Sequence, residues 1–561
     1  MSLNATTSVE PLVSESRGLI VFGGTEKQAN GGLDGAARMD RETLLWNAPD
    51  LAADVVVNKA KKTADARTRD QVNNNGYMSG GVEIYKDSVV GSEYRLMAEP
   101  NYKALGLDEV WANEFKEAAE IKWRLYAESQ ECWADASRRM SATEIIRLNI
   151  GVFCATGEYL VASEWLDKDR TRPYKTAFNT IDVARLSNPR ATMDTRYLRR
   201  GVVINDFQEE IGYWIRTAYE NSPYREDAAA QWKYIAARKP WGRKMMFHCA
   251  DIRRPEQTRA VSRMVSVLKE MRMTEKFQDI VLQNAITNAT YAAAIESELP
   301  RDIVYAQLGE MGSSPSGSPI GAGPLIDYIT SFLAAANEFQ GGSKNLALDG
   351  VKIPHLLPGT KLNLMPAGNP GGVGTNFESS FLRHVARGLG ISYEEFSGNF
   401  AETNYSGARA AMATTERSMR TVKRIAADRL ASEMYSNLLE EEINRKNTDL
   451  PLPRDARNNF YTGMNKAAYT QCRWIGSARA QLDEVKETQA AGMRIGLGIS
   501  TVQDEASKLG KDWREVALQR KREWDFNAEL GLPQPGTNTQ RKDSFQGNNN
   551  DQGNGNAKPK K

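Results

Sequence analysis

The residues able to do chemistry are few, and their spacing is poor for it. Three histidines, His248, His355 and His384, stand far apart, and only His248 has a cysteine, Cys249, beside it. A zinc site draws its ligands from close-spaced pairs, so none is expected. The four cysteines, Cys132, Cys154, Cys249 and Cys472, show no CxxC spacing and read as reduced structural thiols. A serine, threonine or cysteine nucleophile would need a base that three scattered histidines supply poorly. Adjacent acids such as Glu394 and Glu395, or Glu440, Glu441 and Glu442, point about 100° apart on a helix and read as a solvated face. The run GNPGGVG at 368–374 lacks the Lys-Ser/Thr of a phosphate cradle and reads as a flexible loop. Gly510-Lys511 is followed by Asp512 and has no glycine five residues earlier, so it is no ATP-binding loop. No catalytic residue, metal or cofactor is expected.

What remains is a basic set on one element. No proline interrupts 406–445, and Ala408, Met412, Met419, Val422, Ala426 and Leu430 recur three, four or seven apart, as on one side of an α-helix. That side is expected to be buried. Arg409, Arg417, Arg420, Lys423 and Arg424 fall on a neighbouring sector. At about 1.5 Å per residue the helix spans roughly 60 Å, far beyond the usual globular helix. A rod of that length is either a strut in an assembly or an amphipathic helix crossing a large domain.

The other elements must hold this rod. Helices are predicted from about 50 to 72, to about 89 after a turn at 73–76, over 108–136 and over 142–157, with a strand at 94–97 between the second and third. Trp111, Phe115, Trp123 and Trp133 are expected in the core. Residues 158–250 alternate short β-type runs with turn residues and predict a β-rich module. A second long helix is predicted over 258–288, followed by a strand-like 291–296. The stretch GSSPSGSPIGAGP at 312–324 is loop, 325–339 a short helix, and KIPHLLPGTKLNLM from 352 a strand pair. Helix resumes over 376–388, 398–405 is a polar break, and three short helices follow within 472–526. The arm before residue 50 and the tail from 533 read as poorly ordered.

The totals bound the class. At 561 residues two to four domains are expected, with no apolar run long enough for a membrane helix and no signal peptide, so the chain is expected in the cytoplasm where it is made. Net charge is +2, and the tail holds five basic and two acidic residues, leaving the body near −1. A protein that grips phosphates along its surface is normally basic, and this one is not.

Five segments then carry a resemblance: NNNGYMSGGVEIYKDSVVGSEYRLM (73–97), YAAAIESEL (291–299), KIPHLLPGTKLNL (352–364), FESSFLRHVARGLGISYEEFSGNFAETNYSGARAA (377–411) and CRWIGSARAQLDEVKE (472–487). In this order they resemble the lambda-type bacteriophage portal (head-tail connector) family. The likeness runs from about 50 to 530 and leaves out the arm, the 312–324 loop and the tail. It implies a mainly helical α+β portal fold of wing, stem, clip and crown. The implied map is an N-terminal arm (1–49), wing (50–257), stem helix 1 (258–290), clip (291–370), stem helix 2 (371–396), tunnel loop (397–406), long wing helix (407–450), C-terminal wing and crown (451–532) and a disordered tail (533–561).

The resemblance also implies a homo-oligomeric ring, usually of twelve subunits, at one capsid vertex. Double-stranded DNA would enter and leave through it without sequence preference. The implied partners are the terminase large subunit, the major capsid and scaffold proteins and the head-completion or connector proteins, with no membrane. Location would be the virion, and the host cytoplasm during assembly. Twelve helices at about 10 Å spacing close a circle roughly 38 Å across and leave a bore of about 28 Å, wide enough for a duplex. Every phosphate neutralised by Lys or Arg strengthens a salt-dependent grip, so a conduit is expected to be near neutral. Asn399, Phe400, Asn404 and Tyr405 are the tunnel-loop candidates. Arg409, Arg417, Arg420, Lys423 and Arg424 either face the DNA or pair with acids of a neighbouring subunit. A capsid or scaffold protein without a bore, and less readily a packaging nuclease or ATPase, are the competing readings.

Overall fold

The computed structural model describes residues 49–223, 231–291, 345–348, 351–354, 370–401, 403–478 and 483–532. The chain divides into a short unit, Met1–Ala52, and a large one, Ala53–Lys561, which holds every described element. The first helices are α1 (Ala53–Asn74) and α2 (Gly76–Val89), broken only at Asn75, whose side-chain oxygen accepts from the Met78 N–H at 3.1 Å. Then come β1 (Arg95–Ala98), α3 (Tyr102–Leu105), α4 (Glu109–Ala127) and α5 (Ala142–Thr156), the last opened by a Ser141/Glu144 capping box. The third predicted helix stops nine residues short of 136. Residues 134–136 instead bond to Phe178, which donates to the Ala134 carbonyl at 2.7 Å and accepts from Ala136 at 2.8 Å.

The β-rich module forms as predicted. Strands β2 (Glu158–Trp165) and β3 (Thr176–Ile181) precede β4 (Leu198–Arg199), β5 (Val202–Ile204), β6 (Glu210–Arg216), β7 (Trp232–Ala236) and β8 (Met246–Ala250). They make two antiparallel sheets, ordered β3-β2-β8 and β4-β5-β6-β7. Leu160, Ala162 and Met246 of the first share one apolar core with Val202, Tyr213 and Ile215 of the second.

The second long helix begins later than its spacing suggests. A 3₁₀ turn (Arg263–Ser266) precedes α6 (Leu268–Tyr291). Residues 258–260 are taken by tertiary bonds: Thr258 donates from N–H and Oγ1 to Asp54 at 2.7 and 2.6 Å, and the Ala260 N–H donates to Glu158 at 3.1 Å. Tyr291, expected to open a strand, closes α6. Strands β9 (Asn345–Leu348) and β10 (Val351–Pro354) pair antiparallel. The expectations for 292–344, for 355–369, for the arm through residue 48 and for the tail lie outside the described residues.

Helix α7 (Pro370–Leu389) starts inside the glycine run expected to be loop, with Pro370 at its first position, where a missing N–H costs nothing. After α8 (Tyr393–Ser397) the organising rod forms: α9 (Tyr405–Val422), one π-helical turn (Lys423–Ala427) and α10 (Asp428–Asn444). Short helices α11 (Ala456–Asn459) and α12 (Asn465–Thr470) lead to β11 (Cys472–Ile475), which pairs antiparallel with β1. That strand stood unpredicted at the head of the final helical stretch. Helices α13 (Glu484–Gly496), α14 (Val502–Lys508) and α15 (Trp513–Glu529) complete the three expected there.

The main core closes around α10. Trp123 meets Tyr435 and Trp474 edge-on at 5.9 and 5.4 Å between centroids, and Tyr94 stacks on Trp474 at 5.5 Å. Trp123 and Phe115 are buried as expected, whereas Trp111 and Trp133 are half-buried against the same core. The acids at the end of α10 correct the solvated-face expectation. Glu440 is buried 3.0 Å from Arg243 and also accepts from the Trp241 indole at 3.1 Å. Glu442 is buried 3.0 Å from Lys122, and Glu441 accepts the Lys175 and Thr176 N–H groups at 2.7 and 2.8 Å.

Candidate functional site

The rod is embedded over one half and open over the other. From Leu430 to Ile443 most positions are buried, but before Thr415 no residue of α9 is. Of the predicted inner face, Met419, Val422, Ala426 and Leu430 are buried, while Ala408 and Met412 are half-exposed. The open half carries the loop and the arginines.

The loop is fixed at both ends. Ser392, the N-cap of α8, donates its N–H to Thr415 Oγ1 at 2.9 Å, and Thr415 in turn hydrogen-bonds Glu395, so α8 is tied across the loop to α9. Phe396 is buried, and a Cβ at Gly81 on α2 would sit 3.3 Å from its ring, so glycine there lets the two helices approach. Gly398 turns the chain with φ +69°. Asn399 Oδ1 accepts from the Ala401 N–H at 3.1 Å, and Asn404 Oδ1 accepts from Gly407 at 2.7 Å and caps α9. The amide oxygens of both asparagines are thus used locally. Phe400 and Tyr405 are large apolar side chains that expose 45% and 48% of their surface.

The predicted basic set splits. Arg409, Arg417 and Arg424 are exposed and take part in no ion pair among the described residues. Arg420 is exposed and pairs with Glu416 at 2.6 Å. Arg409 and Arg420, eleven residues apart, differ by only about 20° in azimuth. They line a groove of about 420 Å³ with Met412, Glu416, Trp474 and Lys508. Lys423 departs from the set: half-buried, it lies 2.8 Å from Asp428 and donates to the Trp474 carbonyl at 2.9 Å. Its ammonium is committed within the chain, where tertiary partners outweigh its place on the basic sector. The open face is therefore arginines with an acid interleaved, whose exposed charges are screened by salt.

A second constellation escaped sequence reasoning. Glu158, fully buried at the start of β2, accepts from Arg259 at 2.6 Å, lies 3.1 Å from Lys61 and faces His248 Nε2 at 3.3 Å. His248 Nδ1 lies 2.7 Å from Glu210, which also accepts the Tyr213 hydroxyl at 2.7 Å. Lys61 bridges onward to Asp65 at 2.9 Å. Burial alone would raise Glu158, but Arg259, Lys61 and His248 hold it well below the carboxylate range. Burial likewise opposes charge on His248, yet Glu210 and Glu158 outweigh it and push the imidazole up to about 9, so both ring nitrogens donate. Asp65 moves upward because burial outweighs its one lysine. Arg259 donates further to the carbonyls of Leu186 and Arg200 at 3.1 and 2.6 Å. These bonds clamp the segment leading into α6 onto the β-module. The only hint in sequence was a charged residue, Glu158, heading the apolar strand EYLVAS. Among the described residues, no three His, Cys, Asp or Glu side chains are grouped to hold a metal, and no helix is long and apolar enough to cross a membrane.

Fold and site together define a mainly helical α+β protein whose rod, α9 to α10, is embedded over one half and over the other presents an arginine face beside a polar loop. The profile described as phage portal protein, lambda family, matches residues 39–423. The chain is 34% identical to the portal protein of Escherichia phage N15 over 87% of its own length and 89% of that protein's. It is likewise 34% identical to portal protein B of Escherichia phage lambda, over 87% and 88%. The chain belongs to the lambda family of phage portal proteins. Among solved structures it is similar to a chain from the virion of a native gene transfer agent particle, at 11% identity and a TM-score of 0.36 over 86% of this chain and 100% of that one. So slight a likeness carries no argument.

Proposed function

We propose that copies of this chain assemble side by side into a ring of twelve at one capsid vertex, and that double-stranded DNA passes through its bore during packaging and ejection. Family membership supports the role. The single observation that carries the geometry is the division of the rod, with α10 enclosed and α9 leaving the 398–404 loop and three arginines open. In this reading Phe400 and Tyr405 brush the duplex, Asn399 and Asn404 shape the loop, and Arg409, Arg417 and Arg420 make weak phosphate contacts. Arg424, just beyond, is a further candidate, whereas Lys423 is not.

The wing corresponds to 50–257, with the first stem beginning at α6 rather than at 258. The clip is 291–370, the second stem 371–396, and the crown lies within 451–532. The clip docks the terminase large subunit and later the head-completion proteins, and the ring sits among major capsid and scaffold proteins. The chain acts in the virion, after assembly in the host cytoplasm, as a structural conduit and not as an enzyme. Negative-stain images of the purified protein are expected to show rings with a central hole. Solitary particles at every concentration and salt tested would overturn the proposal.

A further inference from the structure

The rod widens for one turn where α9 meets α10. The Asp428 N–H donates to the Lys423 carbonyl, five residues back instead of four, so one residue is inserted relative to a regular helix. A wide turn of this kind is rare and needs partners. It has them on two sides. Tyr159 Oη donates to the Ala426 carbonyl at 2.9 Å, and Cys249 Sγ to that of Ile425 at 3.4 Å. On the other side Lys423 Nζ lies 2.8 Å from Asp428 Oδ1. Side chains five apart on a regular α-helix stand roughly 140° apart and do not meet. The ion pair therefore forms only while the turn is wide. Tyr94 Oη hydrogen-bonds the same Asp428 oxygen, and the Trp474 carbonyl accepts from the lysine at 2.9 Å, so the pair is also tied to the β1–β11 strand pair.

We infer that Lys423 and Asp428 are positioning residues: by holding the wide turn they set the direction in which Arg409, Arg417 and Arg420 face. Adding or removing one residue turns a helix by about 100°. Because α10 is enclosed along most of its length while α9 is buried only at Thr415, Met419 and Val422, losing the wide turn rotates the more open half. The role of the arginine face rests on the proposed DNA channel, but the positioning itself does not.

The test measures direction within one chain. Spin labels carried by non-natural amino acids at positions 417 and 125 report the azimuth of α9 against α4, where Leu125 is exposed. Lys423→Met is expected to displace the label at 417 by about 8 Å, the chord of a 100° turn at the helix surface, and to change the 417–125 distance by several ångströms, about 8 Å at most. Lys423→Arg is expected to keep the original distance, and a pair at 433 and 125 to stay fixed in both. An unchanged 417–125 distance in Lys423→Met would show that Tyr159 and Cys249 suffice and would overturn the inference. An equal shift of the 433–125 pair would mean general loosening and would overturn it too. Should Lys423→Met fail to fold, Asp428→Asn gives the same reading. A lone subunit answers as well as a ring, so failure of the channel proposal remains distinguishable.

Discussion

Replacing Glu158 by Gln removes the one carboxylate shared by Arg259, Lys61 and His248 while keeping its shape. All four side chains are buried, so three cations lose their common partner away from bulk solvent. Breaking a buried pair from one side costs about 3–5 kcal/mol. For the roughly 400 described residues the unfolding entropy is about 0.8 kcal/mol/K, so the expected fall in melting temperature at pH 7 is about 4–6 °C. The pH dependence carries the stronger signature. His248 titrates higher folded than unfolded, so its contribution is full below the ordinary histidine value and is lost as pH rises through about 9. Glu158 and Glu210 titrate lower folded than unfolded, so theirs is full above the ordinary carboxylate value and is lost as pH falls through the folded one. The cluster is thus most stabilising between about pH 4.5 and 6.5. Melts followed by circular dichroism from pH 5 to 10 should show the Glu158→Gln deficit widest near pH 6 and narrower at pH 10, where His248 is neutral in both proteins. A variant melting within 1 °C of wild type at pH 7, or a deficit that grows toward pH 10, would refute the clamp.

Three further outcomes follow from other positions. His248→Gln should melt about 4 °C lower at pH 6, where Glu210 and Glu158 hold the imidazole up to about 9 and fully charged, and should approach wild type by pH 10. Gly157 ends α5 with φ +81°, and a Cβ there would lie 2.4 Å from the Val261 carbonyl carbon; Gly157→Ala should cost about 1–3 kcal/mol for the backbone alone and more for the collision. Gly106→Ala, at φ +70° with nothing within 4 Å, is the control that isolates the backbone share in the same melting assay. Charge reversal by Arg409→Glu with Arg417→Glu should leave ring formation intact in electron micrographs and lower DNA packaging several-fold; packaging at the wild-type level would remove the arginines from the DNA path.

How much of this was legible in the sequence depended on how local its cause was. The rod was legible because forty proline-free residues keep one apolar face, and the break before it because Gly398 and Asn404 are a turn residue and a cap. The π turn was not, because a single inserted residue leaves Val422, Ala426 and Leu430 at ordinary helical spacing. Residues 258–262 read as helix through Val261, Val265 and Leu268, but Asp54 and Glu158, more than a hundred and ninety positions distant in the first case, claim the backbone there. The four-residue β11 owes its form to β1 across the fold and has no periodicity of its own. The ionic cluster draws on positions 61, 65, 158, 210, 248 and 259, and no spacing rule connects them.

The same dependence on distant partners decides where the charge of a near-neutral chain is felt. Composition alone predicts a surface that neither attracts nor repels DNA. Along the rod the two signs are treated differently. The acids at its end, Glu440 and Glu442, are buried beside Arg243 and Lys122, and Glu441 is bound to backbone N–H groups. The arginines at its start are left open, and among the described residues Arg420 pairs with Glu416 while Arg409 and Arg417 take part in no ion pair. Negative charge is thus spent inside the subunit, and a modest positive excess remains on the exposed face. Salt screens exposed charges far more than buried ones. In the proposed channel, raising ionic strength should accordingly weaken phosphate contacts made by Arg409 and Arg417 while leaving the embedded half of the rod unchanged, so the strength of the proposed DNA contact and the integrity of the subunit would answer to different conditions.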